Sequence, residues 1–172
     1  MTAVLVANVR MLAVELIRDR AAWVVAVGFP TLFFVVALPD VTAGEDPASA
    51  VLGQLAALAV LLVAVLQLPA RIAHERASTW ERFLHVLPGS PAIRVGARAV
   101  VGAALIAAAT VPLLVIALLA TPISESATTW LLWSVALLAG SIPALLLGIT
   151  LAYAVRPKAV SPVATLVFVP ML

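Results

Sequence analysis

Four long stretches of this chain hold no Asp, Glu, Lys, Arg or His: residues 21–39, 50–70, 99–121 and 130–155. A helix that crosses a bilayer needs ~20 mostly apolar residues, and each stretch meets that length. The fold class read from them is all-α, a polytopic transmembrane helix bundle. Composition agrees: 65% of the residues are hydrophobic and 10% charged, where soluble domains carry ~45–50% and ~25%. There is too little polar surface here to coat a water-soluble globule. The absence of cysteine excludes a disulfide framework and a thiolate metal site.

A fifth apolar run reaches from Ala159 to Leu172. As a helix it covers ~21 Å, short of the ~30 Å hydrocarbon core. The expectation is an incomplete transmembrane helix, with the chain a truncated product or a fragment of a longer protein. The alternative is a short re-entrant segment.

The basic residues orient the bundle. Arg10, Arg18 and Arg20 precede the first span. Arg71, Arg76, Arg82, Arg94 and Arg98 separate the second from the third, and Arg156 and Lys158 follow the fourth. In an alternating topology all of them fall on one side. The remaining connections, 40–49 and 122–129, carry only acids: Asp40, Glu45, Asp46 and Glu125. The positive-inside rule makes these two loops external and the N-terminus cytoplasmic, with 71–98 a cytoplasmic loop and 156–158 a cytoplasmic turn. A cleaved signal peptide is rejected, because the basic residues follow the first apolar stretch instead of preceding it. The net charge of +2 is placed for a membrane, not for nucleic acid.

Residues 1–20 are too charged to span. Leu5, Val9, Leu12, Ala13, Leu16 and Ile17 share one helical face, and Asn8, Arg10, Glu15, Arg18 and Asp19 occupy the other, with Met11 and Val14 interrupting it. Such a helix lies along the membrane interface on its lipids. The alternative is a frayed extension of the first span. In the loop 71–98, Ser78-Thr79-Trp80-Glu81 fits a capping box. Trp80, Phe83, Leu84 and Leu87 then fall at i, i+3, i+4 and i+7, while Glu81, Arg82 and His85 lie off that stripe. Pro88-Gly89-Ser90-Pro91 ends the helix. A helix over 79–87 is marginal alone in water and needs a surface to bury Trp80, Phe83 and Leu84. Glu75 and Glu81, lying among Arg71, Arg76 and Arg82, read as surface ion pairs at helical spacing.

The sequence has no G-x-x-x-x-G-K-[ST] phosphate loop, no H-E-x-x-H and no G-x-S-x-G. No catalytic, cofactor-binding or metal-ligating residue is assigned, and no cofactor is expected. His74 and His85 read as solvated side chains. Without ionisable groups in the spans, a proton relay or ion pathway is not expected, and an apolar or amphiphilic substrate suits these spans better.

Nearly all of the chain resembles the permease subunits of type-2 ATP-binding-cassette exporters, a family that includes antibiotic and multidrug resistance permeases. One matching region is ELIRDRAAWVVAVGFPTLFF, with Arg18 and Arg20 at the junction and Phe29-Pro30 in the span. The other is RIAHERASTWERFLHVLPGSPAIRVGAR, with Glu75, Arg76, Ser78, Trp80, Arg82, Leu84, Pro88 and Ser90. A weaker one is Arg156-Pro157-Lys158 followed by Ser161-Pro162. Arg94 or Arg98 stands where the family has a Lys, and Ser78 where it often has Gly. The family's sixth span is missing.

The resemblance implies that residues 1–20 are an elbow helix and 79–87 a coupling helix. Glu75, Arg76, Ser78, Trp80, Glu81, Arg82, Phe83 and Leu84 would engage a separate ATPase subunit. It further implies a second permease subunit, as homodimer or heterodimer, in the plasma membrane. ATP hydrolysis would then lie on the partner and not on this chain. Two other readings are a membrane-embedded enzyme, which would need a nucleophile, metal ligands or paired acids that do not converge here, and a non-transporting scaffold or permease remnant.

Replacing Trp80 and Phe83 together by Ala is expected to abolish association with the ATPase subunit while leaving membrane insertion intact. Each buried aromatic contributes roughly 1.5–3 kcal/mol, and ~1.4 kcal/mol is a factor of ten in affinity. Unchanged co-purification of the ATPase with the double variant would remove the assignment.

Overall fold

Asp19 decides how the chain enters its first long helix. In the computed structural model, which describes residues 2–43, 48–78, 91–121 and 126–171, helix α1 (Thr2–Arg18) stops where Asp19 leaves the helical region at φ −83°, ψ 87°. The Asp19 carboxylate accepts from the Ala22 N–H at 3.1 Å and caps the next helix. The Trp23 indole N–H donates to the Leu16 carbonyl at 3.0 Å, beside the Asp19 N–H that reaches the same oxygen at 3.1 Å, so the last turn of α1 is tied to the start of the next helix.

Five further helices follow among the described residues. Helix α2 covers 20–43 and α3 covers Ala48–Ala77. Helix α4 is Pro91–Ala120, α5 is Ala127–Ala154, and α6 is Pro157–Phe168, closed by a 3-10 turn at Val169–Met171. The described residues contain no strand. The segments Arg20–Pro39, Ala48–Ala77, Ala92–Ala120 and Ala127–Ala154 are long and apolar enough to cross a membrane, whereas Pro157–Met171 is a shorter apolar helix.

Helices α3 and α4 run furthest beyond their apolar stretches. Residues 71–77 continue α3 and residues 91–98 begin α4, so the charged segment read as a loop supplies helix at both ends. The run Arg71-Ile72-Ala73-His74-Glu75-Arg76-Ala77 contains no helix breaker, and α3 ends where Ser78 turns to φ −78°, ψ 155°. At 1.5 Å per residue, the 30 residues of α4 extend about 45 Å, more than a hydrocarbon core requires.

Proline shapes α2 and α3 in the same way. Each widens into a π turn, Val24–Gly28 before Pro30 and Leu62–Gln67 before Pro69. A helical proline lacks its N–H and clashes with the carbonyl four residues back, and a wider turn relieves both problems. Pro30 and Pro69 are among the most completely buried residues, and the two π turns touch each other. The Gln67 side-chain N–H reaches the Ala22 carbonyl across this contact in a long hydrogen bond of 3.4 Å.

Helix α3 is the axis of the bundle and contacts α2, α4, α5 and α6. Its centre, Leu62 to Val65, is buried on all sides. Phe34, Leu113 and Val160 from its neighbours and its own Ile72 fill the interior, and Ala26, Ala59, Ala109, Ala117, Ala152 and Ala164 let the helices close. The outer face of α5, with Leu131, Leu132, Val135, Leu138, Ile142 and Leu146, is exposed and apolar.

Helix α1 packs on α4. Leu16 is buried, and Leu5, Val9, Leu12 and Ala13 are partly covered. Ile17, read from the helical wheel as part of the same face, is instead 67% exposed. A single helical neighbour covers a narrower stripe than a flat surface would, so Ile17 falls outside it with Met11 and Val14.

The tightest backbone approach is at Gly148 of α5. A Cβ there would overlap the Ala64 carbonyl oxygen in the π turn of α3, with the Ala64 carbonyl carbon at 3.0 Å. Nothing lies within 4 Å of the corresponding position at Gly140. Gly148→Ala is therefore expected to push α5 off α3 at an overpacking cost of about 1–3 kcal/mol or more. The apparent melting temperature of the detergent-solubilised protein, read by size-exclusion after heating, should fall by roughly 5 °C. Gly140→Ala should leave it unchanged.

Candidate functional site

The charged ends of α3 and α4 meet the end of α5 in one cluster. Arg98 of α4 lies against Glu75 of α3, with its Nε 3.1 Å and its Nη2 2.5 Å from Glu75 Oε2. The pair is largely removed from water, the Arg98 side chain being 6% exposed and that of Glu75 21%. A buried ion pair is tolerable only when its remaining donors are also satisfied. Here the Arg98 Nη1 donates to the Tyr153 hydroxyl of α5.

Tyr153 is held from two directions. The guanidinium carbon of Arg98 lies 5.5 Å from its ring centroid and that of Arg76 lies 5.3 Å from it. Two cations therefore sit within cation–π reach of one ring. Arg76 Nη1 also donates to the Ala152 carbonyl and, at 3.2 Å, to the Val155 carbonyl. These carbonyls lie where α5 ends, so the arginine both satisfies open acceptors and complements the helix dipole. Glu75, Arg76, Arg98 and Tyr153 thus form a clamp joining the ends of three span-length helices.

A second contact ties α3 to the break between α1 and α2. Arg71 Nη1 stands 3.4 Å from Asp19 Oδ2, close enough to attract but outside hydrogen-bond geometry, since that nitrogen is buried without an acceptor among the described residues. Beside the clamp, between α1, the end of α3 and the start of α4, lies a cleft of about 470 Å³. Among its lining residues are Glu15, Arg18, His74 and Arg94, with Met11 and Leu12 on its apolar wall. Higher in the bundle, Gly53, Val60, Trp133, Gly140, Pro143 and Leu147 line an apolar groove of about 560 Å³ between α3 and α5. Trp133 is set edge-on to Trp130, with centroids 6.0 Å apart.

The residues singled out from the sequence fall into separate places. Glu75 and Arg76 are in the clamp, and Glu75 pairs with a residue on another helix instead of at helical spacing along its own. Ser78 ends α3, its hydroxyl donating to the Glu75 carbonyl at 2.6 Å. Trp80, Glu81, Arg82, Phe83 and Leu84, and with them the helix expected over 79–87, lie outside the described residues. Arg18 and Arg20 flank the break at Asp19 and are both exposed. Phe29 is partly exposed and packs on Phe33 at 4.6 Å between centroids, while Pro30 is buried.

Tyr153 was missed by sequence reasoning. A tyrosine near the end of an apolar run usually reads as an interfacial anchor, and the one signal was that this chain has a single Tyr. Among the described residues no three His, Cys, Asp or Glu side chains gather as a metal site would need. The cluster's chemistry is electrostatic attachment: it can hold helix ends together or release them. No protein-family model matches the chain, and no curated protein or solved structure is significantly similar to it.

Removing one partner of the buried pair leaves the other charge without compensation. Arg98→Gln alone is expected to cost about 3 kcal/mol. Glu75→Gln combined with Arg98→Gln should recover much of that loss in a double-mutant cycle of thermal stability. Additive losses in the cycle would show that the pair is not coupled.

Proposed function

We propose that the chain is a membrane-spanning permease subunit of an ATP-binding-cassette exporter. It moves a hydrophobic or amphiphilic substrate out of the cell, using ATP hydrolysed by a separate subunit. The observation that carries this reading is the clamp. Glu75 and Arg76 lie in the charged segment whose residues resemble the coupling region of such permeases, Glu75 fastened to the start of α4 and Arg76 to the end of α5. Force applied just beyond Ser78 would reach three span-length helices through side-chain contacts, without having to pass through loops.

Other features support the same reading. The N-terminal helix is set off from α2 by a capped break, as an elbow helix would be. The apolar groove lined by Trp133 and Pro143 offers a surface suited to an apolar molecule. The exposed apolar faces of α2 and α5 leave room for lipid or a second permease subunit. The positive-inside rule puts the basic ends of α3 and α4 on the cytoplasmic side, where a soluble ATPase would be met.

The test is affinity purification of the tagged chain from its native membrane in mild detergent, with identification of the proteins retained. An ATP-binding-cassette ATPase in near-equal amount is the expected result. Well-expressed, inserted chain that brings no such ATPase would overturn the proposal and leave a scaffold or a permease remnant.

A further inference from the structure

The cleft beside the clamp holds charges that the clamp does not use. Arg98 and Glu75 neutralise each other within it. Among the described residues, Arg94, Arg18 and the Glu15 carboxylate have neither ion pair nor side-chain hydrogen bond, and the Arg94 Nη1 is buried without an acceptor. A guanidinium nitrogen removed from water without an acceptor marks a position for an anion, and the forked N–H groups of arginine match phosphate oxygens. The unpaired carboxylate in the same cleft disfavours a second negative charge and suits a cation.

The surroundings decide where such a ligand comes from. Met11, Leu12 and Val14 make the cleft wall largely apolar. Beyond the cleft, α1 also exposes Val6 and Ile17. Arg94 and Arg98 stand at the start of α4, directly before its uncharged stretch from residue 99. A polar cleft at the foot of an apolar helix, with an apolar rim, lies at headgroup height for a lipid whose chains run along α1 and α4. A free anion would have no use for those apolar walls.

We propose that this cleft binds one ethanolamine phospholipid. The phosphodiester lies on the guanidiniums of Arg94 and Arg18, and the headgroup ammonium lies on the Glu15 carboxylate. The choice of headgroup follows from hydrogen bonding. A primary ammonium donates to a carboxylate, the trimethylammonium of choline has no N–H, and a glycerol headgroup brings no cation.

Native mass spectrometry of the purified full chain tests this, with phosphatidylethanolamine, phosphatidylglycerol, phosphatidylcholine and inorganic phosphate titrated separately. One phosphatidylethanolamine should bind about tenfold more tightly than either other lipid, the factor that ~1.4 kcal/mol of pairing produces. Arg94→Gln should weaken all three lipids, and Arg94→Lys should retain most of the binding. Glu15→Gln, at an exposed position that leaves folding undisturbed, should abolish the preference for ethanolamine while lipid binding remains. Equal affinity for the three lipids overturns the headgroup assignment. Undiminished lipid binding by monodisperse Arg94→Gln protein overturns the site, and inorganic phosphate displacing the lipid at millimolar concentration overturns the lipid as its occupant.

Discussion

The bundle depends on how closely the backbone of α5 can approach the π turn of α3. In hydrocarbon an apolar side chain gains little by leaving lipid for protein, so helices associate through van der Waals packing and polar contacts. Both require proximity. Gly148 supplies it at one point, where a single added carbon would collide with the Ala64 carbonyl. The buried alanines of α2, α4, α5 and α6 extend the same close packing around the axial helix. The π turn contributes from the other side, because the helix widened ahead of Pro69 is the segment most completely surrounded by its neighbours.

Electrostatics organises the end of the bundle that packing leaves open. Arginine suits this place better than lysine would, since one planar guanidinium can face a carboxylate, a phenol and an aromatic ring together. Arg98 does so, and Arg76 adds the carbonyls at the end of α5. Among the described residues, the same end offers Arg94 and Arg18 no ion-pair partner. Paired guanidiniums fasten helices to one another, and unpaired ones in a partly apolar cleft offer attachment to something outside the chain.

The candidate site was only partly legible in the sequence. Glu75 and Arg76 stand out as charges directly after a long apolar run. Their roles did not, because helical spacing offers Arg71 and Arg82 as neighbours, and nothing local points to a partner 23 residues further along. Arg98 read as a charge before a span, and Tyr153 gave no signal, since the contacts of both depend on which helix ends lie side by side. The extension of α3 to Ala77 was also hidden. Charge density marked the segment as outside the membrane, and a segment outside the membrane can still be helical.

The sequence by itself determined the helical class and the four long apolar helices. Uncharged runs of that length are a local property, and the spacing of arginine and proline is equally plain. Tertiary structure decided which face of α1 is covered, which prolines are absorbed by π turns, and which arginines are paired. Each of these is settled by a neighbour distant in the chain. An apolar environment erases the polar–apolar contrast that would otherwise mark the inner face of a helix, so the periodicity that reveals packing in water is nearly silent here.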